Sequence, residues 1–217
     1  MEIKIRKATN ADIPFLAETI IEAEKSGTEV LSYSTIFGLS EDEARNYIIA
    51  MLEEETEGCE FSVSSFFIAE INGETIGAAC GWVEAADGMP SSLLKGNLLR
   101  FTIPKENFER AIGFASLISE IHLEIKPGTI NIGVVYVAEN GRGKGLVSVL
   151  LDAVINSLKA EHPEVSEAGI QVFDCNSRAI RAYEKYGFSL SLQKSSEDLE
   201  LEKYLPSKTK LQMTKKI

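Results

Sequence analysis

One stretch constrains this chain more than any other: Ile130-Asn131-Ile132-Gly133-Val134-Val135-Tyr136-Val137, with the glycine-rich run directly after it. The β-branched run suits a central, buried strand. Ala138-Glu139-Asn140-Gly141-Arg142-Gly143-Lys144-Gly145 comes next, and then Leu146, Val147, Leu150, Leu151, Val154, Ile155 and Leu158 at helical spacing. That spacing predicts a helix buried along one face. Glycines at alternate positions let backbone N–H groups converge without Cβ obstruction. A helix N-terminus adds unpaired donors and the positive end of its dipole. The unit therefore predicts a site for a phosphate or pyrophosphate, with Arg142 and Lys144 as counter-charge. The plainer alternative is a tight strand-to-helix turn carrying solvated basic residues.

The known phosphate fingerprints narrow the choice. The pattern GxxxxGK[ST] is absent, and GxGxxG fails because Ser148 stands where the last glycine is required. A second segment, Asn176-Ser177-Arg178-Ala179-Ile180-Arg181-Ala182-Tyr183-Glu184-Lys185-Tyr186-Gly187-Phe188, predicts a helix capped by Asp174 or Asn176 and closed by Gly187. Together the two segments resemble the GNAT superfamily of acyl-CoA-dependent N-acyltransferases. Arg142 to Val147 is similar to its loop (Arg/Gln)-x-x-Gly-x-(Gly/Ala), and Asn176 to Phe188 to its Asn-x-x-Ala-x-x-x-Tyr helix. One position departs from the pattern: Val147 stands where the family has Gly or Ala, and its isopropyl group would crowd a pyrophosphate.

The resemblance implies a mixed α/β fold of the GNAT type. Its mostly antiparallel sheet is splayed between two parallel strands, here 130–137 and 168–173, with helices on both faces. It implies acetyl-CoA as co-substrate, without a metal, and an amine-bearing small molecule or peptide as acceptor. The pantetheine arm would add to the edge of the first strand at Val135, Tyr136 and Val137. Backbone amides of Arg142, Gly143, Lys144, Gly145, Leu146 and Val147 would hold the pyrophosphate. Asn176 and Ala179 would lie along the cofactor, and Tyr183 near the thioester sulfur as general acid, since a thiol of pKa about 8.5 and a phenol of about 10 are close. Many relatives carry a carboxylate on the strand before the loop, and residues 130–135 have none. Glu120, Glu124, Asp174 and His122 are the stand-ins for a base, none of them singled out. A non-catalytic acyl-CoA sensor with the same fold is the alternative function.

The rest of the chain fits a single domain over 1–217, with acceptor-side elaborations at 14–62 and 84–127. Ile3 to Ala8 alternates as a strand, Thr9 to Asp12 caps a helix running to Ile21, and Ser40 with Glu43 forms a capping box for another. Asn72-Gly73 between two apolar runs predicts a hairpin. Residues 26–38 and 84–98 read as loops, 105–122 as one helix, and 194–208 as a polar, mobile connection before a last strand at 210–217.

Charge divides the chain. Residues 1–128 hold 10 Lys+Arg and 22 Asp+Glu, while 129–217 hold 12 and 11. A net charge of −11 argues against a nucleic-acid groove, and the acidic first part suits a cationic acceptor. Glu53-Glu54-Glu55-Thr56-Glu57 and Glu60 are its densest cluster, with a solvated helix end as the commoner explanation. Three scattered cysteines and two histidines make neither a disulfide framework nor a zinc pattern. The N-terminus lacks a signal-peptide run and no apolar stretch is long enough to span a membrane. The expectation is a cytoplasmic protein, with a homodimer left open.

Overall fold

A computed structural model describes residues 2–217. It contains a seven-stranded sheet in the order β1-β2-β3-β4-β5-β7-β6. The strands are β1 (Ile3–Lys7), β2 (Phe66–Ile71), β3 (Glu74–Val83), β4 (Ile130–Val137), β5 (Glu167–Phe173), β6 (Ser189–Ser195) and β7 (Thr209–Lys216). Every neighbouring pair is antiparallel except β4 and β5. Asn72 and Gly73, both at positive φ, close the β2–β3 hairpin as expected of Asn-Gly. No helix is long and apolar enough to cross a membrane among the described residues.

Strand periodicity distributes the core over two faces. Ala78, Cys80 and Trp82 of β3 pack under α1 (Ile13–Lys25) and α3 (Glu41–Glu53), with α2 (Ser32–Thr35) between them. Ala79 and Val83 face α7 (Leu146–Glu161), with α8 (Ser177–Tyr186) beside it. The Ser40/Glu43 capping box forms as the sequence predicts, and Thr9 and Asp12 form another ahead of a short 3-10 turn that leads into α1.

Several loop and helix expectations are corrected. Residues 26–38 contain α2, pinned where Thr35 Oγ1 donates to the Tyr204 carbonyl at 2.6 Å. Residues 84–98 are not all loop, because α4 runs from Ser91 to Thr102 through Gly96. Glu84 explains its start: one carboxylate oxygen accepts from the Ser91 N–H at the helix N-terminus, the other from Trp82 Nε1, each at 2.9 Å. The helix expected over 105–122 breaks at Gly113 into α5 (Lys105–Ile112) and α6 (Ala115–Ser119). Residues 194–208 are folded rather than mobile, since Leu201 and Leu205 are buried against Ile36 and Ile121. The acidic cluster is also divided: Glu55 accepts N–H bonds from Val63 and Ser64, and Glu60 turns inward.

The feature that positions the site lies in β4. Cys80 pairs with Val134 but Gly81 with Ile132, so Gly133 is an extra residue on β4, a β-bulge. A Cβ there would stand 2.4 Å from the Trp82 ring. Pairing between β4 and β5 covers Ile130–Ala168, Asn131–Gly169 and Ile132–Ile170, and stops just before the bulge. Beyond it the parallel strands part.

Gly133→Ala should force Trp82 or β4 to move and lower the denaturation midpoint by about 1–3 kcal/mol of stability, read by urea unfolding. A second outcome concerns the entry to α1, where Arg6 bonds Asp12 at 2.7 and 2.8 Å and Glu70 at 2.5 Å. Arg6 holds the Asp12 carboxyl down at about 2. A depressed carboxyl stabilises the fold above its unfolded pKa, near 4, and that contribution fades as pH falls toward 2. The loss should be about 2 kcal/mol in wild type and absent from this window in Asp12→Asn.

Candidate active site

The parting of β4 and β5 opens a cavity of about 840 Å³ that runs through the sheet from one face to the other. On the α7 face it is lined by Leu146, Val147, Ala179 and Tyr183, and on the α1 face by Ile20, Trp82, Leu99 and Val134. Val135, Tyr136 and Val137 line it between the two, on an edge of β4 with no strand partner. The expected strand edge is therefore open. Arg142 Nε donates to the Val137 carbonyl at 3.3 Å, so that carbonyl is already engaged.

The loop before α7 separates its three glycines by role. Gly141 is buried, and a Cβ on it would lie 2.1 Å from Ile76 Cγ2, so this glycine serves close packing. Gly143 and Gly145 have φ of +77° and +76°, with open space where a Cβ would be. Among the described residues, the backbone N–H groups of Gly143 through Ser148 have no backbone acceptor outside the helix ladder. Successive free donors on a left-handed turn, backed by the helix dipole, form a nest for an anion. Arg142 lines the cavity; Lys144 is exposed and does not. Arg178 and Lys185 of α8 line the cavity, cations that the loop motif alone does not reveal. Val147 lines the cavity while its side chain packs against the core cluster under α7.

On α8, Asn176 lines the cavity, but its Oδ1 accepts the Ala179 N–H at 3.1 Å as the helix cap. Tyr183 is 6% exposed, has no hydrogen-bond partner for its hydroxyl among the described residues, and faces the cavity. Burial pushes its phenol above the ordinary value, so it holds its proton.

Of the four stand-ins for a base, only His122 lines the cavity. Asp174 accepts from Ser207 Oγ at 2.6 Å, Glu120 from Ser196 Oγ, and Glu124 is exposed. His122 is exposed at the cavity wall; partial desolvation, with Lys210 and Lys194 nearby, lowers its pKa and favours the neutral imidazole.

The α1 face carries groups that the motifs did not indicate. Lys95 of α4 pairs with Glu60 and reaches Glu24 at 4.0 Å, and Ser32 Oγ donates to Glu24 at 2.8 Å. Burial would raise the Glu60 carboxyl, but Lys95 holds it below its ordinary value. Lys210 of β7 lines the same end. A more open cavity of about 530 Å³, lined by Phe37, Phe108 and Ile112, adjoins at Lys95 and His122. Glu24, Glu60, Lys95 and Lys210 come from four separated segments, which no local spacing links.

Gly141→Ala should cost about 1–3 kcal/mol through overpacking on Ile76, seen as a lower midpoint in thermal unfolding. Gly143→Ala should cost no more than about 1–2 kcal/mol, the strain of a left-handed residue, and chiefly weaken anion binding measured by calorimetry with CoA.

Residues 90–188 match the Acetyltransferase (GNAT) family. No curated protein sequence matches the chain. Among solved structures, an N-acetyltransferase from Staphylococcus aureus Mu50 has a TM-score of 0.61 at 16% identity, covering 98% of this chain and 100% of that one. The protein yncA from Salmonella typhimurium, solved with its cofactor acetyl-CoA, has a TM-score of 0.55 at 16% identity, covering 100% and 94%. A variant of an agmatine N-acetyltransferase has a TM-score of 0.59 at 10% identity, with 100% of both chains covered. At such identities the structural likeness speaks for the fold. Sheet order and splayed strands give this chain the fold of those acetyltransferases, and residues 90–188 carry the match to the GNAT acetyltransferase family.

Proposed function

We propose that residues 1–217 act as one domain, an N-acetyltransferase that moves an acetyl group from acetyl-CoA to an amine. The observation that carries this reading is the single cavity reaching from the unpaired N–H groups before α7, past Tyr183, to polar groups on the opposite face. A sensor would need only the cofactor half. The far half, with Glu24, Glu60 and Lys95, favours an acceptor and turnover.

The residues fit acetyl-CoA on the structure's own terms. Gly143 and Gly145 leave room for close approach, and Arg142 and Arg178 add positive charge. The β4 edge at Val135 and Tyr136 offers main-chain groups to an extended amide-bearing arm. Val147 keeps its isopropyl group against the core, which reconciles it with a position where smaller residues are usual. When bound, the thioester supplies an activated acetyl carbonyl, and amide formation releases the thiol. Acetyl-CoA and the amine are consumed together, giving the amide and CoA.

The chain's own groups then manage protons. Tyr183 keeps a proton at Oη and donates toward the departing sulfur. Because burial raises its pKa, full transfer to a thiolate of pKa about 8.5 is uphill. Its contribution is a hydrogen bond that strengthens as negative charge develops. His122, neutral and lining the cavity, takes the amine's proton directly or through water.

Acetyl-CoA should bind in calorimetry, and a panel of primary amines should release free thiol. Tyr183→Phe should lower kcat about 100-fold while acetyl-CoA affinity stays close to that of wild type. Wild-type turnover in that variant would remove Tyr183 from the chemistry.

A further inference from the structure

The α1 end of the cavity carries one lysine without an ion pair of its own among the described residues. Glu60 and Glu24 share Lys95, and Lys25 pairs with Glu22 and Glu41 at 2.9 and 3.0 Å. Lys210 is half-buried, lines the cavity, and has no ion pair among the described residues. Its Nζ lies 5.6 Å from the centroid of the Phe173 ring. Its cross-strand partner on β6 is Lys194, equally without an ion pair. Like charges directly opposite each other oppose strand pairing, and a partly desolvated ammonium calls for a counter-ion. Lys194 is exposed and meets solvent, whereas the half-buried Lys210 ammonium faces the cavity and is open to an anion there.

That anion is not a cofactor phosphate. Of the charged groups that line the cavity, those acting on Lys210 are Glu24, Glu60 and Lys95, all at the α1 end, and Lys210 in turn acts on His122. The phosphate-binding features belong to the loop before α7. Nor does the site suit a dianion, because Glu24 and Glu60 repel a second negative charge. One cation beside two carboxylates that share a lysine balances a zwitterion, its amine on the acidic side and one carboxylate on Lys210.

We propose that the acceptor is an amine that also carries a carboxylate, such as a free amino acid, and that Lys210 pairs with that carboxylate. This rests on the acetyltransferase reading and narrows it. It also replaces the polycationic acceptor that the acidity of residues 1–128 suggests, since Glu24 and Glu60 share Lys95 and leave a place for one positive charge, not several.

The test offers each of a set of amino acids as free acid and as primary amide, together with γ-aminobutyrate against butylamine. Thiol release from acetyl-CoA is measured and rates are compared per neutral amine. Free acids should be preferred in kcat/KM by about tenfold or more. Lys210→Met should bring acid and amide together, and Lys210→Arg should restore a preference. Circular dichroism and CoA affinity report that the variants are folded. Amides or simple amines used as well as acids would overturn the proposal, as would a preference that survives in Lys210→Met. Acetyl-CoA binding with no acid acetylated would overturn it while leaving the cofactor site standing. Failure to bind acetyl-CoA would overturn the acetyltransferase reading itself.

Discussion

The site depends on one steric wedge. Trp82 occupies the space where a side chain at position 133 would be, and β4 accommodates it with a bulge. Register with β5 ends one residue earlier. A continuous parallel pairing to Phe173 would close the sheet and leave no passage between its faces. Trp82 is itself fixed through Glu84, which also anchors α4. The same chain of contacts therefore opens the cleft and delivers Lys95 to its far end.

Charge inside the cleft obeys a different logic from charge on the surface. The acidic excess of residues 1–128 is mostly solvated or spent on caps: Glu43 with Ser40, Glu55 with the 62–64 turn. Carboxylates that reach the cavity come with lysines, because an isolated ion there would carry a large desolvation cost. What distinguishes ligands is then the residue left over. On one face this is a set of backbone donors, and on the other a lysine.

The half of the cleft beside α7 is legible in the sequence because its signals are local. A glycine-rich turn between a β-branched strand and an apolar-faced helix announces free N–H groups, and Asn176, Ala179 and Tyr183 sit on one helix at fixed spacing. Gly141 reads as part of the nest because spacing alone does not separate a glycine required by Ile76 from one required by φ. The half beside α1 is illegible for a related reason. Glu24, Glu60, Lys95 and Lys210 come from α1, the connection after α3, α4 and β7, and meet only in three dimensions. Segment 194–208 reads as unstructured because its polar residues outnumber Leu201 and Leu205, the side chains that bury it. Residues 84–98 read as a loop, yet Glu84 supplies the helix start that the sequence around Ser91 lacks.

The parted strands also divide the sheet mechanically. β1 through β4 form one raft and β5, β7 and β6 another, joined edge to edge only along Ile130–Ala168, Asn131–Gly169 and Ile132–Ile170. Helices bridge the two, but the hydrogen-bonded seam itself is short. An extended molecule lying along the free edge of β4 would act as a splint across this seam, completing a ladder that the polypeptide leaves unfinished. Occupancy of the cleft would then become part of the architecture, a ligand supplying the rungs that β4 and β5 do not make with each other.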